Sequence, residues 1–186
     1  NRGFEGPLLR RRLQSALNTI QKIGLPAYRQ TTKKLVPKWT RALKKINILS
    51  LVKDLQTQGD NYFLGHGDYK PNNIIFTKDK KIFVFDWLGM SKAQPWYDLA
   101  YLLVHLVRNK KYLYLKSYLQ YMKENGNLLN ISDKKARRLL KSGIIFQQIT
   151  RAKSNSYGII LKQKNANHYI EEFRSAMNGL SEEIGN

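Results

Sequence analysis

The sequence contains no cysteine, which excludes disulfide bonds and any metal site with cysteine ligands. This absence fits a reducing compartment, and we therefore expect a cytoplasmic protein. No apolar run approaches the length of a membrane span, and no signal peptide is recognisable. The chain opens with Asn1-Arg2-Gly3 and not with methionine, so we expect it to begin inside a longer protein.

Acidic residues are also scarce, because 33 Lys and Arg face only 13 Asp and Glu and give a net charge of +20. Such a charge attracts anions such as nucleotides, nucleic acids or phosphorylated substrates. It is equally compatible with a solvated surface, because the basic residues are scattered along the chain. A nucleic-acid-binding protein is the weakest reading, since no nucleic-acid-binding motif is present.

The apolar pattern predicts a mainly helical domain with one small β-hairpin. Leu9, Leu13, Leu17 and Ile20 predict a first helix that ends at Gly24 and Pro26. The other predicted elements follow in chain order: an amphipathic stripe from Trp39 to Leu55 that stops at 59–61, strands at 74–76 and 82–85, and helices at 98–108, 111–124, 133–152 and 165–178, with Ser132 as N-cap of the third of these.

The stretch HGDYKPNN, residues 66–73, places an unusual density of polar groups between two apolar runs. Phosphoryl transfer needs a carboxylate that orients the attacking hydroxyl, and oxygen ligands that hold Mg²⁺ against the nucleotide phosphates. His66, Asp68 and Asn73 have the spacing His-x-Asp-x-x-x-x-Asn, and Asp86 follows the second predicted strand. A hairpin would bring Asn73 and Asp86 to the same end, where both could face one metal ion. We therefore predict a catalytic loop held between two core strands.

Residues 62–103 resemble the catalytic core of the aminoglycoside phosphotransferase and choline kinase superfamily, which has a protein-kinase-like fold. The resemblance is carried by three blocks in addition to the 66–73 loop: Ile74, Phe85-Asp86-Trp87 and Pro95-Trp96-Tyr97-Asp98-Leu99-Ala100. It implies that Asp68 is the catalytic base and that Asn73 and Asp86 are the Mg²⁺ ligands. It also implies structural roles for His66 and Asp98, with Asp98 accepting hydrogen bonds from the loop backbone.

Lys70 departs from many small-molecule kinases of this superfamily and matches the Asp-x-Lys-Pro-x-Asn pattern of protein kinases. A lysine there can neutralise charge on the γ-phosphoryl group, or it can be one more solvated lysine. A protein kinase is disfavoured, because only eleven residues separate Asp86 from Asp98 and no Ala-Pro-Glu motif follows. We therefore expect a small-molecule hydroxyl as the acceptor.

A complete kinase also needs a Gly-rich phosphate loop and a strand lysine, and neither precedes Asp68. We interpret the chain as the helical C-terminal lobe of a kinase-like α+β fold without its N-terminal lobe, which would be supplied in cis or in trans. Its predicted parts are basic helices at 1–60, the catalytic loop and hairpin at 61–100, and a substrate-side helical subdomain at 101–186. The expected cofactors are ATP and Mg²⁺, although the isolated chain should bind ATP poorly.

Two further questions concern the acceptor and the activity itself. Residues 99–170 contain only Glu124 and Asp133 as acids, which favours a neutral or anionic acceptor such as a sugar or glycoconjugate over a cation. The alternative to an enzyme is a non-catalytic kinase-like binding module that retains the loop as a relic.

Overall fold

The computed structural model describes residues 5–29, 34–56, 63–104, 108–125, 132–161 and 166–185. This part of the chain is mostly helical and has two small antiparallel sheets of two strands each. None of its helices combines the length and the apolarity that crossing a bilayer requires.

The first helical segment continues through the residues that were predicted to end it. Helix α1 (Gly6–Thr19) passes into one π-helical turn (Ile20–Gly24) and then into α2 (Leu25–Arg29). The amide of Leu25 bonds to the carbonyl of Ile20, five residues back, and this wider turn immediately precedes Pro26, which has no amide hydrogen. Gly24 lies against Phe173 and Ser156, so close packing and not helix termination explains this glycine.

The amphipathic stripe from Trp39 to Leu55 forms two helices, α3 (Val36–Lys44) and α4 (Ile48–Leu55), and not one. Asn47 separates them because its backbone is extended and its side chain accepts the Ser50 amide at 3.0 Å, as an N-cap does. The predicted stop at 59–61 lies outside the described residues.

The predicted hairpin is present, but its strands do not belong to the core. Strand β2 (Ile74–Phe76) pairs antiparallel with β3 (Ile82–Val84), and Ile74 lies opposite Val84. Phe76 is 72% exposed and Phe83 is 54% exposed, and Leu64 on the other side of the 66–73 loop is 66% exposed. The prediction that core strands flank the loop is therefore wrong. An apolar composition predicted the strands correctly, but it does not say what covers their side chains.

A second sheet was not predicted. Strand β1 (Phe63–Gly65) enters the 66–73 loop and pairs antiparallel with β4 (Ser91–Ala93), which leads into the next helix. Three-residue strands show too little alternation to be recognised in a sequence. This ladder nevertheless matters for the site, because it joins the start of the loop to the residues that precede Asp98.

Four helices complete the described part of the chain: α5 (Pro95–Leu103), α6 (Arg108–Glu124), α7 (Asp133–Ile160) and α8 (Ala166–Gly185). Helix α5 begins three residues earlier than predicted, with proline in its first turn. Helices α7 and α8 extend eight and seven residues beyond their predicted ends. Ser132 caps α7 by accepting the Lys135 amide at 3.3 Å, which confirms that prediction.

The core has two clusters that share helix α7. In the larger one, Trp39 lies between Tyr28 at 4.7 Å and Phe173 at 5.8 Å, and its indole nitrogen donates to Asn178 at 3.0 Å. The smaller cluster packs α5 against α6 and the first half of α7, around fully buried Trp96. Helix α5 is therefore a fixed platform at the base of the candidate site.

Candidate active site

Asp98, in the first turn of α5, holds the start of the 66–73 loop. One carboxylate oxygen accepts the His66 amide at 2.6 Å and the other accepts the Gly67 amide at 3.0 Å. The helix beneath is immobilised by Trp96 and Ala100, which are 1% and 0% exposed. A carboxylate that receives two backbone donors fixes both the position and the direction of the loop.

His66 connects the loop to the residue that precedes Asp86. Its Nε2 lies 2.9 Å from the Phe85 carbonyl, and its Nδ1 lies 3.2 Å from the Asp68 amide. A carbonyl can only accept and an amide can only donate, so these partners require the proton on Nε2 and the lone pair on Nδ1. The ring is 3% exposed and packs against Trp87 at 4.6 Å.

Position 67 is the one place in the loop where the backbone requires glycine. Its φ of +82° lies in the left-handed region, and an added Cβ would collide with the carbonyl of Gly89. Gly89 ends a short 3₁₀ turn, Trp87–Gly89, which follows directly after Asp86. The loop and this turn therefore approach each other backbone to backbone.

The Asp68 carboxylate is the centre of a cluster of donors. Oδ2 receives the Lys70 ammonium at 2.6 Å and the Asn73 amide at 3.0 Å, and the same Asn73 nitrogen also bonds the Asp68 carbonyl at 2.9 Å. Burial acts to raise the pKa of Asp68, but hydrogen bonds from Lys70, Tyr101 and Asn73 outweigh it and lower that pKa. Asp68 is consequently an ionised acceptor at neutral pH.

Tyr101 is the residue of this cluster that the sequence did not reveal. It lies three residues after Asp98 on α5, and its hydroxyl faces the Asp68 carboxylate and acts to lower the pKa of that carboxyl. Burial and the Asp68 charge raise the pKa of the phenol, so the hydroxyl keeps its proton and acts as a donor. The available signal was helical spacing, because a residue at i+3 from Asp98 shares its face.

The β2–β3 hairpin brings Asn73 and Asp86 to the same end of its two strands. The Phe85 amide donates to the Asn73 carbonyl at 3.1 Å, which continues the β2–β3 ladder by one step beyond Ile74 and Val84. Asn73 is 5% exposed, whereas Asp86 is exposed and adopts a left-handed backbone with φ 65° and ψ 56°. A non-glycine residue in this region is strained, and such strain is common at functional sites.

The donor set at this end suits Mg²⁺ better than a transition metal. Both Asn73 amide hydrogen bonds use Nδ2, and no described residue bonds Oδ1 of Asn73 or the carboxylate of Asp86. The described residues contain no group of three or more His, Asp or Glu side chains that could form a complete protein cage. Mg²⁺ takes one or two protein oxygens and completes its octahedron with phosphates and water.

The model of the phosphotransferase enzyme family APH matches residues 9–126, which is more than half of the chain and includes all of the residues described above in this site. No curated protein and no solved structure gives a significant match.

Proposed function

Because the chain belongs to the phosphotransferase enzyme family, which is part of the kinase-like superfamily, we propose that it transfers the γ-phosphoryl group of Mg·ATP to a hydroxyl of a small molecule. The observation that carries the proposal is the ionised Asp68 carboxylate, which hydrogen bonds from Lys70 and Asn73 hold in place. A fixed carboxylate of lowered pKa orients an attacking hydroxyl and accepts its hydrogen bond.

The neighbouring side chains complete the proposed machinery. Lys70 has three donor hydrogens and uses one on Asp68, so the others remain for a phosphoryl oxygen. Oδ1 of Asn73 and the Asp86 carboxylate would hold Mg²⁺, which neutralises charge on the nucleotide phosphates when bound. His66 and Asp98 position the loop and do not take part in the chemistry.

A neutral or anionic acceptor, such as a sugar or glycoconjugate, fits the charges of the helices after the site. Glu124 is exposed and bonds the side chain of Gln120, and Asp133 is exposed in the first turn of α7. Glu172 of α8 is already paired with Arg151 at 2.8 Å. A cationic acceptor needs unpaired carboxylates near Asp68, and the described parts of α6 and α7 offer none there.

We further propose that the chain is the C-terminal lobe of a kinase-like fold, with the boundaries at residues 60 and 100 given above, and that a nucleotide-binding lobe packs on the hairpin in cis or in trans. The exposed apolar side chains of the hairpin and the following turn support this: Ile75, Phe76, Ile82, Phe83 and Leu88. Exposed groups of apolar side chains of this kind usually mark an interaction surface. The covering lobe would supply the phosphate loop and the strand lysine.

The test is ATP turnover by the full gene product against panels of sugars, aminoglycosides and amino alcohols. We expect Asp68→Asn and Asp86→Asn each to reduce turnover by about 10²-fold or more, because each removes a group of the reacting centre. Asp79→Asn is the matched control, since Asp79 is an exposed acid on the hairpin turn whose side-chain partners among the described residues are Lys81 and Thr77.

The two mutants also distinguish the roles within the site. Asp86→Asn should raise the Mg²⁺ concentration needed for half-maximal turnover, whereas Asp68→Asn should leave that requirement unchanged. Turnover that survives in Asp68→Asn contradicts the assignment of the base. If no acceptor is phosphorylated and Mg·ATP does not bind, the chain is a non-catalytic kinase-like module.

A further inference from the structure

A cavity lies away from the 66–73 loop, where the α3–α4 turn, α4, the first half of α7 and the end of α8 meet. It measures about 300 Å³, at the lower end of the range for small-molecule sites. Its apolar lining comes from Ile46, Leu51, Ile145 and Ile184. Lys45 and Asn47 on its edge are exposed, so the cavity opens to solvent.

The single acid among the described lining residues is neutralised within the wall. Asp54 is 7% exposed and accepts the buried Ser142 hydroxyl at 2.7 Å. Its other oxygen lies 3.1 Å from the Arg138 guanidinium, which is largely exposed. A buried carboxylate with these two partners needs no cationic ligand.

Two lysines of the lining have no such partner. Neither Lys45 nor Lys141 forms an ion pair with any residue that the structure describes, and Lys141 is partly buried. A cation that is partly withdrawn from water beside apolar side chains is stabilised by an anion that enters the same space. The lining therefore combines an apolar surface with two uncompensated positive charges.

We propose that this cavity is a binding site for a small amphipathic anion, with an apolar body against the isoleucine side chains and a phosphate or carboxylate head at Lys45 and Lys141. The three features that select this ligand are the apolar lining, the compensated Asp54 and the two uncompensated lysines. None of the described residues that line it belongs to residues 63–98, so the site is separate from the proposed catalytic centre.

Phenyl phosphate is a suitable probe, and phenol and inorganic phosphate separate its two halves. We expect titration of phenyl phosphate into the ¹⁵N-labelled chain to shift amide resonances of 45–51 and 138–145. Calorimetry should give tighter binding for phenyl phosphate than for either half. Lys45→Gln and Lys141→Gln should each weaken binding by about two- to five-fold, the size of one solvent-accessible ion pair.

Lys134→Gln is the matched control, because Lys134 is an exposed lysine on the same helix outside the cavity lining and its replacement should change nothing. Asp68→Asn should also bind phenyl phosphate normally, so the result does not depend on the proposed catalytic function. The proposal is overturned if phenol or phosphate alone binds as tightly, if the shifts map to the hairpin at 74–85, or if the lysine variants bind like the control.

Discussion

Asp98 accepts a hydrogen bond from the backbone amide of His66 at 2.6 Å, so a carboxylate 32 residues later in the chain anchors the loop that contains the proposed base. Asp98→Asn keeps the size of the side chain but leaves only one oxygen for the two loop amides. Its amide nitrogen would face an N–H group, which is a repulsive arrangement. We expect the free energy of unfolding, measured with urea, to fall by about 1.5–3 kcal/mol, the usual size for hydrogen bonds to a charged group.

Asp133→Asn is the control for this variant, because Asp133 also lies in the first turn of a helix but is exposed. Both substitutions remove a charge that favours a helix N-terminus, so this shared term cancels in the comparison. The control should lose only a few tenths of a kcal/mol. Equal losses in the two variants would show that Asp98 contributes through the helix dipole and not through the loop.

Lys70→Met should shift the acid limb of the pH profile of kcat/KM to higher pH. Removing the ammonium takes away the largest of the interactions that lower the pKa of Asp68, so the carboxylate is protonated at a higher pH. We also expect kcat to fall about 10²-fold, the effect of losing one donor to developing charge. Lys81→Met is the control, because Lys81 pairs with Asp79 on the exposed hairpin turn.

The same interaction has a consequence for stability. Because the folded-state pKa of Asp68 is lowered, its stabilisation is present above the ordinary value of 3.8 and is lost as the pH falls through the folded-state value. Lys70→Met should therefore lose less stability than the wild type over this acidic range. If the acid limb of the kcat/KM profile has the same position in Lys70→Met as in the wild type, the pairing of Lys70 with Asp68 is contradicted.

Gly67→Ala should destabilise the fold by about 2 kcal/mol or more. Alanine at a φ of +82° is strained, and its Cβ would meet the backbone carbonyl of Gly89, which has no room to move without displacing the turn after Asp86. Gly185→Ala is the control, because a Cβ there meets no atom within 4 Å. Thermal unfolding of both variants measures the difference, and a similar midpoint for the two would mean that the loop adapts.

The sequence predicted most of the residues that the structure brings together at the candidate site, because the 66–73 loop places its polar groups at fixed spacings. His66, Asp68 and Asn73 lie within eight residues, and the hairpin register then determines where Asp86 lies. Tyr101 escaped prediction because its role depends on how α5 sits under the loop, and this is a tertiary relationship. Sequence spacing therefore predicts the site residues of the loop and the hairpin. The position of Tyr101 is instead determined by how α5 packs under the loop.

The errors in the fold have physical causes of the same kind. Gly24 and Pro26 are ordinary signals of a helix end, but packing against Phe173 and a π-helical turn retain the helix. Asn47 is an N-cap inside a continuous apolar stripe, so periodicity alone could not show the break between α3 and α4. The strands on either side of the 66–73 loop were expected to be buried because apolar composition predicts burial, whereas Leu64 and Phe76 are exposed.

Gln147 on α7 is 1% exposed, and both of its amide atoms are buried without a hydrogen-bond partner among the residues that the structure describes. Burial raises the pKa of the nearby Tyr97 phenol, and the facing Gln147 amide lowers it in part. Nevertheless, neither amide atom of Gln147 meets the geometry of a hydrogen bond with a described residue. An unsatisfied buried amide costs about 1–3 kcal/mol, so Gln147→Leu should stabilise the protein by about 1 kcal/mol in urea unfolding.

The neighbouring residue provides the contrast, since Gln148 is 2% exposed and its Oε1 accepts a hydrogen bond from Arg151 at 3.2 Å. Gln148→Leu removes that acceptor and should destabilise the protein, by about 1–2 kcal/mol. Opposite signs for two adjacent Gln→Leu changes on one helix exclude helix propensity as the cause. Destabilisation by Gln147→Leu would mean that a buried water or a bound molecule satisfies the Gln147 amide. Binding of the sugars, aminoglycosides and amino alcohols should then be compared between Gln147→Leu and the wild type.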